Sequence, residues 1–549
     1  MTDPGAASTR TVLLDVRLDP AAAPVDLVVD GERIAAILPR GEADGAARDV
    51  AAERLVSGEG RLVLPGFVDA HSHAGGRLFD AEVQLALLRQ GVTSIIGGQD
   101  GVGPAPGDGA YAGEYFAAID GPQPGYRGDG IGGLLASYDG TTPLNAGVLV
   151  PAGTVRHEIC GRSAAPATAA ELDEMRALVR AGMADGALGL SSGLDYVPGI
   201  FADVDELAAL AAELAPACGV YVSHLRGGYE ANSAAGVAEL AEIGRRAGVA
   251  VHVSHFHAEP GIVQALMTEL ADAGLEASFD AYPYGRGCSL LGMPLLPPEL
   301  GVRPVDELVA ELRDEGVRET LLRDWFPGIA DYPSLGPAWP EMLVFGHLAA
   351  PELDWAHGLT LAEAAARAGR TPAEFALDAL VACRLEVNVV MAVQHERSAA
   401  ELAGILAHPR AMGGSDGIFV GRHPHPRARG SFARYPRELV VEHGVLDWAV
   451  LAAFASTRAA ERFGLGRRGR VREGWLADLV LLDPATVRDT ADYGTPLGLA
   501  EGIDDVLVAG VPVLAGGRLT GATPGRGLRR APAVAVDLED LAGLAEGSR

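Results

Sequence analysis

The sequence predicts an α/β protein: a closed (β/α)8 TIM barrel with a small β-domain assembled from both ends of the chain. Three observations carry this. From residue 63 to about 285, apolar strands alternate with amphipathic helices at the spacing of βα units. At least six such units follow in series, which favours closure over an open, doubly wound sheet. Short strands with turn signals occupy both 11–62 and 461–530, and the two regions share one texture.

Residues 1–62 form the N-terminal part of the small domain. They contain "TVLLDVRLD", "VDLVVDGERIAAILP" and "RLVSGEGRLVLPG", where alternation and the Asp30–Gly31 turn signal hairpins. The barrel, 63–460, opens with strand "FVDAHSH", helix "FDAEVQLALLRQG" and strand "VTSIIGGQD". It continues through strands "ALGLSSG", "VYVSHLR", "VAVHVSHFH" and "EASFDAYPY", each preceded by a helix-patterned stretch. A Pro-rich, irregular segment at about 286–345 reads as an insertion, with helices from there to 405. "RAMGGSDG" supplies the last barrel strand. Strands return in 461–530 with "ADLVLLDP" and "GIDDVLVAGVPVLAGGRL", the C-terminal part of the small domain, and 531–549 reads as a tail.

Bulk properties narrow the partners. A net charge of −29 over 549 residues argues against nucleic acid and anionic membranes, because nothing offsets phosphate repulsion. No apolar run is long enough to span a bilayer, and the opening residues lack a secretory pattern. Four scattered cysteines (Cys160, Cys218, Cys288, Cys383) fit a reducing compartment. A soluble, cytoplasmic protein acting on a small molecule is the expectation, with homo-oligomerisation left open. The chain has no lysine; all 44 Lys+Arg residues are arginines. Lysine nucleophiles, Schiff bases and carboxylated-lysine metal ligands are therefore excluded.

Chemistry collects at the strand ends. His71 and His73 close the first strand, Gln99 and Asp100 the second, Ser191 and Ser192 the fourth. His224 and Arg226 close the fifth, His255 and His257 the sixth, and Asp416 the eighth. Enzymes on closed parallel barrels keep their sites on this rim. A lone buried histidine usually just satisfies a carbonyl, and His157, His252 and His347 are read that way. Four histidines and an aspartate at equivalent strand ends would leave several buried polar groups unpaired without a ligand. That donor set matches Zn²⁺ or a related divalent ion. "GLSSG" has G-x-S-x-G spacing about Ser191, but this serine ends a strand crowded by histidines, so a nucleophile is not inferred.

"PGFVDAHSH", "YVSHLR", "HVSHFH" and "GGSDG" together resemble the metal-dependent amidohydrolase superfamily. "GLSSGLDYVPG", "DAYPY", "GGSDG…HPHPR" and "REGWLADLVLLDP…PGRGLRR" resemble, more narrowly, the D-aminoacylase family of N-acyl-D-amino-acid deacylases, from about residue 10 to 530. The resemblance implies a barrel with a β-sandwich and one or two divalent ions, zinc first, with Mn or Fe as alternatives. It implies His71, His73 and Asp416 at one ion, His224 and His255 at the second, and Asp416 as general base. Two departures stand out. The family's "GNCG" is "GGQDG" here, so Asp100 stands where a thiolate would; a carboxylate weakens the preference for zinc and can ligate one ion or bridge two. His257 occupies the place of a lysine that often binds the substrate carboxylate. That task then falls to Arg226, Arg286, Tyr282 or Tyr284, with His257 and Ser289 completing the substrate-binding set.

The reaction this implies is hydrolysis of the amide of an N-acyl or N-carbamoyl D-amino acid by metal-activated water. Asp416 takes the proton and returns it to the leaving amine. The changes at Asp100 and His257 keep an alternative open: a lactone or cyclic-imide hydrolase, or a lyase, at the same metal site.

Overall fold

A computed structural model describes residues 10–43, 54–331 and 335–531. The expected tail lies, from residue 532 on, outside the described residues. Strands β1 (Arg10–Val16), β2 (Val25–Asp30), β3 (Arg33–Pro39) and β4 (Arg54–Ser57) make one sheet in the order β3-β2-β1-β4. β2 and β3 form the hairpin signalled by Asp30–Gly31, where Gly31 takes a φ of 58°. β5 (Leu62–Pro65) lies outside this sheet and leads into the parallel strands.

Those strands are β6 (Phe67–Asp69), β7 (Val92–Gly97), β8 (Asn145–Val148), β9 (Val150–Pro151), β10 (Gly189–Gly193), β11 (Val220–His224), β12 (Ala250–Val253) and β13 (Ala277–Ala281). Nearly every residue in them is buried, as expected of strands covered on both faces. Helices such as Ala169–Ala184, Ser233–Ala247 and Pro260–Asp272 connect them. The first of these begins at a capping box, Thr168 with Glu171, which satisfies two end groups reciprocally.

β14 (Gly287–Leu290), β15 (Leu343–Leu348) and β16 (Val387–Met391) form an antiparallel sheet in the order β14-β16-β15. Leu291, Leu308, Phe345, Phe375, Leu380 and Val389 build a core of their own around it. The segment with a separate core thus runs past residue 345 to β16. Its strands pair across long sequence separations with no hairpin turn, so no local pattern marks them.

β17 (Ala411–Gly413) pairs with β13, so neighbours run β9-β10-β11-β12-β13-β17 in one parallel sheet and β8-β7-β6 in another. β8 and β9 are separated only by Leu149, and the Leu188 N–H donates to the Val148 carbonyl (2.9 Å). At the other end the Ala70 N–H donates to Gly413 O (3.1 Å) and the Asp416 N–H to His71 O (2.8 Å). The last strand therefore lies beside the first. Val68, Ile96, Leu149, Leu188, Val222 and Met412 pack together as one cluster contributed by these strands.

β18 (Leu479–Leu482), β19 (Ile503–Val508), β20 (Val511–Ala515) and β21 (Arg518–Leu519) join β5 in a five-stranded sheet, and β22 (Gly527–Leu528) adds beside β8. Leu13, Leu27 and Val29 from the first sheet share one core with Val63, Leu479, Leu481 and Leu507 from this one. Both ends of the chain thus contribute to a common core. Among the described residues no helix is long and apolar enough to cross a membrane.

Candidate metal centre

β6 is followed by His71 and His73, and its end is tied to β17. The Ser415 N–H and Oγ–H donate to the two oxygens of Asp69 (2.7 and 2.6 Å). Burial pushes the Asp69 carboxyl up to about 7 even against these bonds. β7 ends in a glycine turn. A Cβ on Gly98 would meet Leu149 O at 2.5 Å, and one on Gly101 would meet Gly193 N at 2.7 Å, so only glycine fits either position. Between them Gln99 donates to Ala70 O and Ile96 O, a structural role, while Asp100 turns into the rim. Asp100, His255 and Asp416 hold φ values of 54°, 32° and 48°. Non-glycine residues occupy this left-handed region at a cost that clusters at functional sites.

The ligand atoms of these residues converge. Asp100 Oδ1 lies 3.7 Å from His71 Nε2, 3.9 Å from His224 Nδ1 and 3.6 Å from His255 Nε2; Asp100 Oδ2 lies 3.6 Å from His73 Nε2. Asp416 Oδ1 lies 3.3 Å from His73 Nε2 and 3.8 Å from His71 Nε2. Two triads, His71/His73/Asp100 and Asp100/His224/His255, each bring their donor atoms within 4.8 Å of one another, with Asp100 in both. His71 Nε2 and Asp100 Oδ1 are buried without a hydrogen-bond partner among the described residues. Orphaned donors and acceptors in a cage of imidazoles and carboxylates fit one or two divalent ions.

Electrostatics agree with the geometry. Burial opposes the charge on Asp100, yet its carboxyl stays well below the ordinary carboxylate value because the His255, His73, His71 and His224 rings face it. Asp416 is likewise held low against burial, first by Arg427 and then by His255, His73 and His71. Against the same burial, Asp100, Asp120 and Asp416 raise His73 well above its ordinary value.

Three supporting carboxylates were not anticipated. Asp120 sits 2.7 Å from His73 Nδ1, Asp195 3.2 Å from His224 Nε2, and Asp280 3.5 Å from His71 Nδ1. Each addresses the ring nitrogen away from the site, which fixes the tautomer and raises ligand basicity. Asp280 also accepts the His255 N–H (3.0 Å) and holds His252 Nε2 at 2.9 Å, so one carboxylate braces both triads. Asp280→Asn is expected to weaken metal affinity about 10–100-fold, measured by competition with a chromophoric chelator. Unchanged affinity would mean that packing alone orients His71.

A cavity of about 300 Å³ opens on this cage. His257, Tyr282, Tyr284, Arg286 and Ser289 line it. Arg226 does not: its guanidinium is taken by Glu239 and the carbonyls of Ile200 and Ala202. β11 ends at His224, and the chain then turns through Gly227 and Gly228, so alternation no longer aims Arg226 inward. Burial holds the His257 ring down to about 3, assisted by Arg397, His255 and Arg427, so it is neutral at physiological pH. Tyr284 is engaged by Asp489 (3.0 Å) and Arg434. Ser289 Oγ is buried without a hydrogen-bond partner among the described residues. Arg427, unanticipated, is fully buried, 2.8 Å from Asp416 Oδ2 and 4.5 Å above the Tyr282 ring.

The model of the Amidohydrolase family matches residues 54–514. The chain is 30% identical to the D-aminoacylase of Alcaligenes xylosoxydans xylosoxydans, over 92% of this chain and 94% of that protein. A solved D-aminoacylase, described with a binuclear metal centre, is 26% identical and superposes with a TM-score of 0.75 over 95% of this chain and 99% of that one. The N-acyl-D-glutamate deacylase of Bordetella bronchiseptica, solved with zinc and a phosphonate mimic of the tetrahedral intermediate, is 26% identical with a TM-score of 0.76 over the same shares. With its clustered histidines and aspartates and this likeness across almost its whole length, the chain belongs to the amidohydrolase family, as a metal-dependent hydrolase of the D-aminoacylase group.

Proposed function

We propose that the protein hydrolyses the amide bond of an N-acyl-D-amino acid, with Asp416 as the proton acceptor and donor. The observation that carries this is the convergence of Asp416 and the two triads on one cavity whose wall also holds unsatisfied cationic donors. His71, His73 and Asp416 would hold one divalent ion and His224 and His255 a second, with Asp100 reaching both; zinc is the first choice. An ion bound there would polarise the carbonyl and lower the pKa of its water to about 7.

The residues of the chain then do the following. Asp416, kept anionic by Arg427, accepts the proton of the attacking water and passes it to the leaving nitrogen, without which an amine anion would have to depart. Arg427, Tyr282 and Ser289 hold the substrate carboxylate. Arg427 pairs with Asp416 through Nη1, its Nε and Nη2 have no hydrogen-bond partner among the described residues, and a planar guanidinium suits a carboxylate. Ile119, Leu290, Met293, Leu296 and Ile418 form an apolar wall in the same cavity, suited to an apolar acyl group or side chain. In this cytoplasmic enzyme the run of parallel strands would close as a (β/α)8 barrel, and the two sheets with a shared core would be its β-sandwich.

Metal-loaded protein is expected to release free amino acid from N-acetyl-D-amino acids with apolar side chains and to leave the L-enantiomers intact. Ring opening of lactones or hydantoins, with no release from any N-acyl-D-amino acid, would refute the deacylase reading in favour of the cyclic-substrate alternative.

A further inference from the structure

A chain without lysine has only arginine to offer as a fixed cation. Four arginines line the cavity beside the metal cage: Arg162, Arg286, Arg397 and Arg427. Arg162 is already spent, donating from Nη2 to Glu114 (2.9 Å) and from Nη1 to Arg303 O (2.7 Å). Arg286 lies nearer the solvent, 29% exposed, stacked 4.4 Å over Tyr493 and paired with Glu396. Arg427 faces Asp416.

Arg397 shares with Arg427 what Arg162 and Arg286 lack: near-complete burial together with more than one open guanidinium nitrogen. Its side chain is only 6% exposed, it meets Glu230 through Nη2, and its Nε and Nη1 are buried with no hydrogen-bond partner among the described residues. Buried donors are almost always satisfied, and a guanidinium N–H left open in a cavity wall marks a place that a ligand or water completes. Glu230 is 40% exposed, so solvent screens its charge and leaves much of the Arg397 field directed into the cavity. His257 Nε2 lies in the same wall and is also unpartnered.

We propose that Arg397 is a second substrate-binding cation, offering its free N–H groups to the same carboxylate that Arg427 binds. The inference rests on the deacylase reading above, since it requires a substrate with a carboxylate beside the scissile amide.

The test compares an N-acetyl-D-amino acid with its α-carboxamide, which keeps the shape and removes the charge. With full-length, metal-loaded enzyme, Arg397→Gln is expected to raise KM for the acid by about 10–100-fold with kcat little changed. KM for the carboxamide stays where it was, and Arg397→Lys recovers part of the loss. Metal content and circular dichroism should match the parent. Glu230→Gln separates binding from bracing: if it reproduces Arg397→Gln, the arginine only holds that loop and the proposal is wrong. Equal losses on acid and carboxamide, or no loss on either, overturn it as well. If the parent enzyme cleaves no N-acyl-D-amino acid, the deacylase reading itself fails and takes this proposal with it.

Discussion

Asparagine in place of Asp416 is expected to lower kcat for deacylation by about 10²–10⁴-fold, the range a positioned acid–base group supplies. It should also destabilise the fold. Asp416 Oδ2 is the carboxylate oxygen 2.8 Å from Arg427 Nη1, and Arg427 is only 1% exposed. Burial disfavours the charge on Arg427, and Asp416 is the first of the groups that sustain it. A neutral amide leaves that guanidinium buried and unpaired, which costs about 3–5 kcal/mol. Steady-state kinetics with metal analysis on the same sample, together with thermal melts, read both effects. Full kcat with a normal metal content would remove Asp416 from the proton path.

Asp100→Ala is expected to abolish activity and to reduce the metal held after dialysis to at most one ion per chain, because Asp100 is common to both triads. Titration adds a sign. Burial lowers the values of His71, His73 and His224, but the surrounding carboxylates outweigh it and raise all three above the ordinary histidine value. Histidine ligates only as the neutral ring, so metal uptake must expel protons. Affinity therefore rises as pH rises through those elevated values, and uptake in weak buffer acidifies the medium. Removing Asp100 deletes one cause of the elevation at each ring, so the alanine variant should bind any remaining ion with a shallower pH dependence. An unaltered metal count, measured by plasma emission, would reduce Asp100 to a turn residue.

Much of this was legible in the chain because strand ends are local features. "FVDAHSH", "YVSHLR" and "HVSHFH" each place a histidine at the end of an apolar run, and "GGQDG" and "GGSDG" place an aspartate in a glycine turn. His71, His73, Asp100, His255 and Asp416 lie two to four residues past the ends of their strands, so the strand end marks them but the pleat does not aim them. Arg226, two residues past β11, turns to Glu239 instead of the cavity. Asp120, Asp195 and Asp280 lie 47, 29 and 209 positions from the rings they orient, and no periodicity encodes such pairs. Arg427 follows the histidine-proline run "HPHPR", yet only burial distinguishes it from a solvated surface arginine. Likewise, nothing near "HERSAAEL" reveals that Arg397 is enclosed by elements distant in the chain.

The core shared by the two ends of the chain has a consequence for biosynthesis. β5 meets β18 only after about 400 further residues have been made, roughly 20–80 s at a ribosomal pace of about 5–20 residues per second. Throughout that interval Leu13, Leu27 and Val29 emerge without the strands that cover them. Recombinant yield should therefore respond to holdase chaperones and to lowered induction temperature more than the buried central strands alone would suggest.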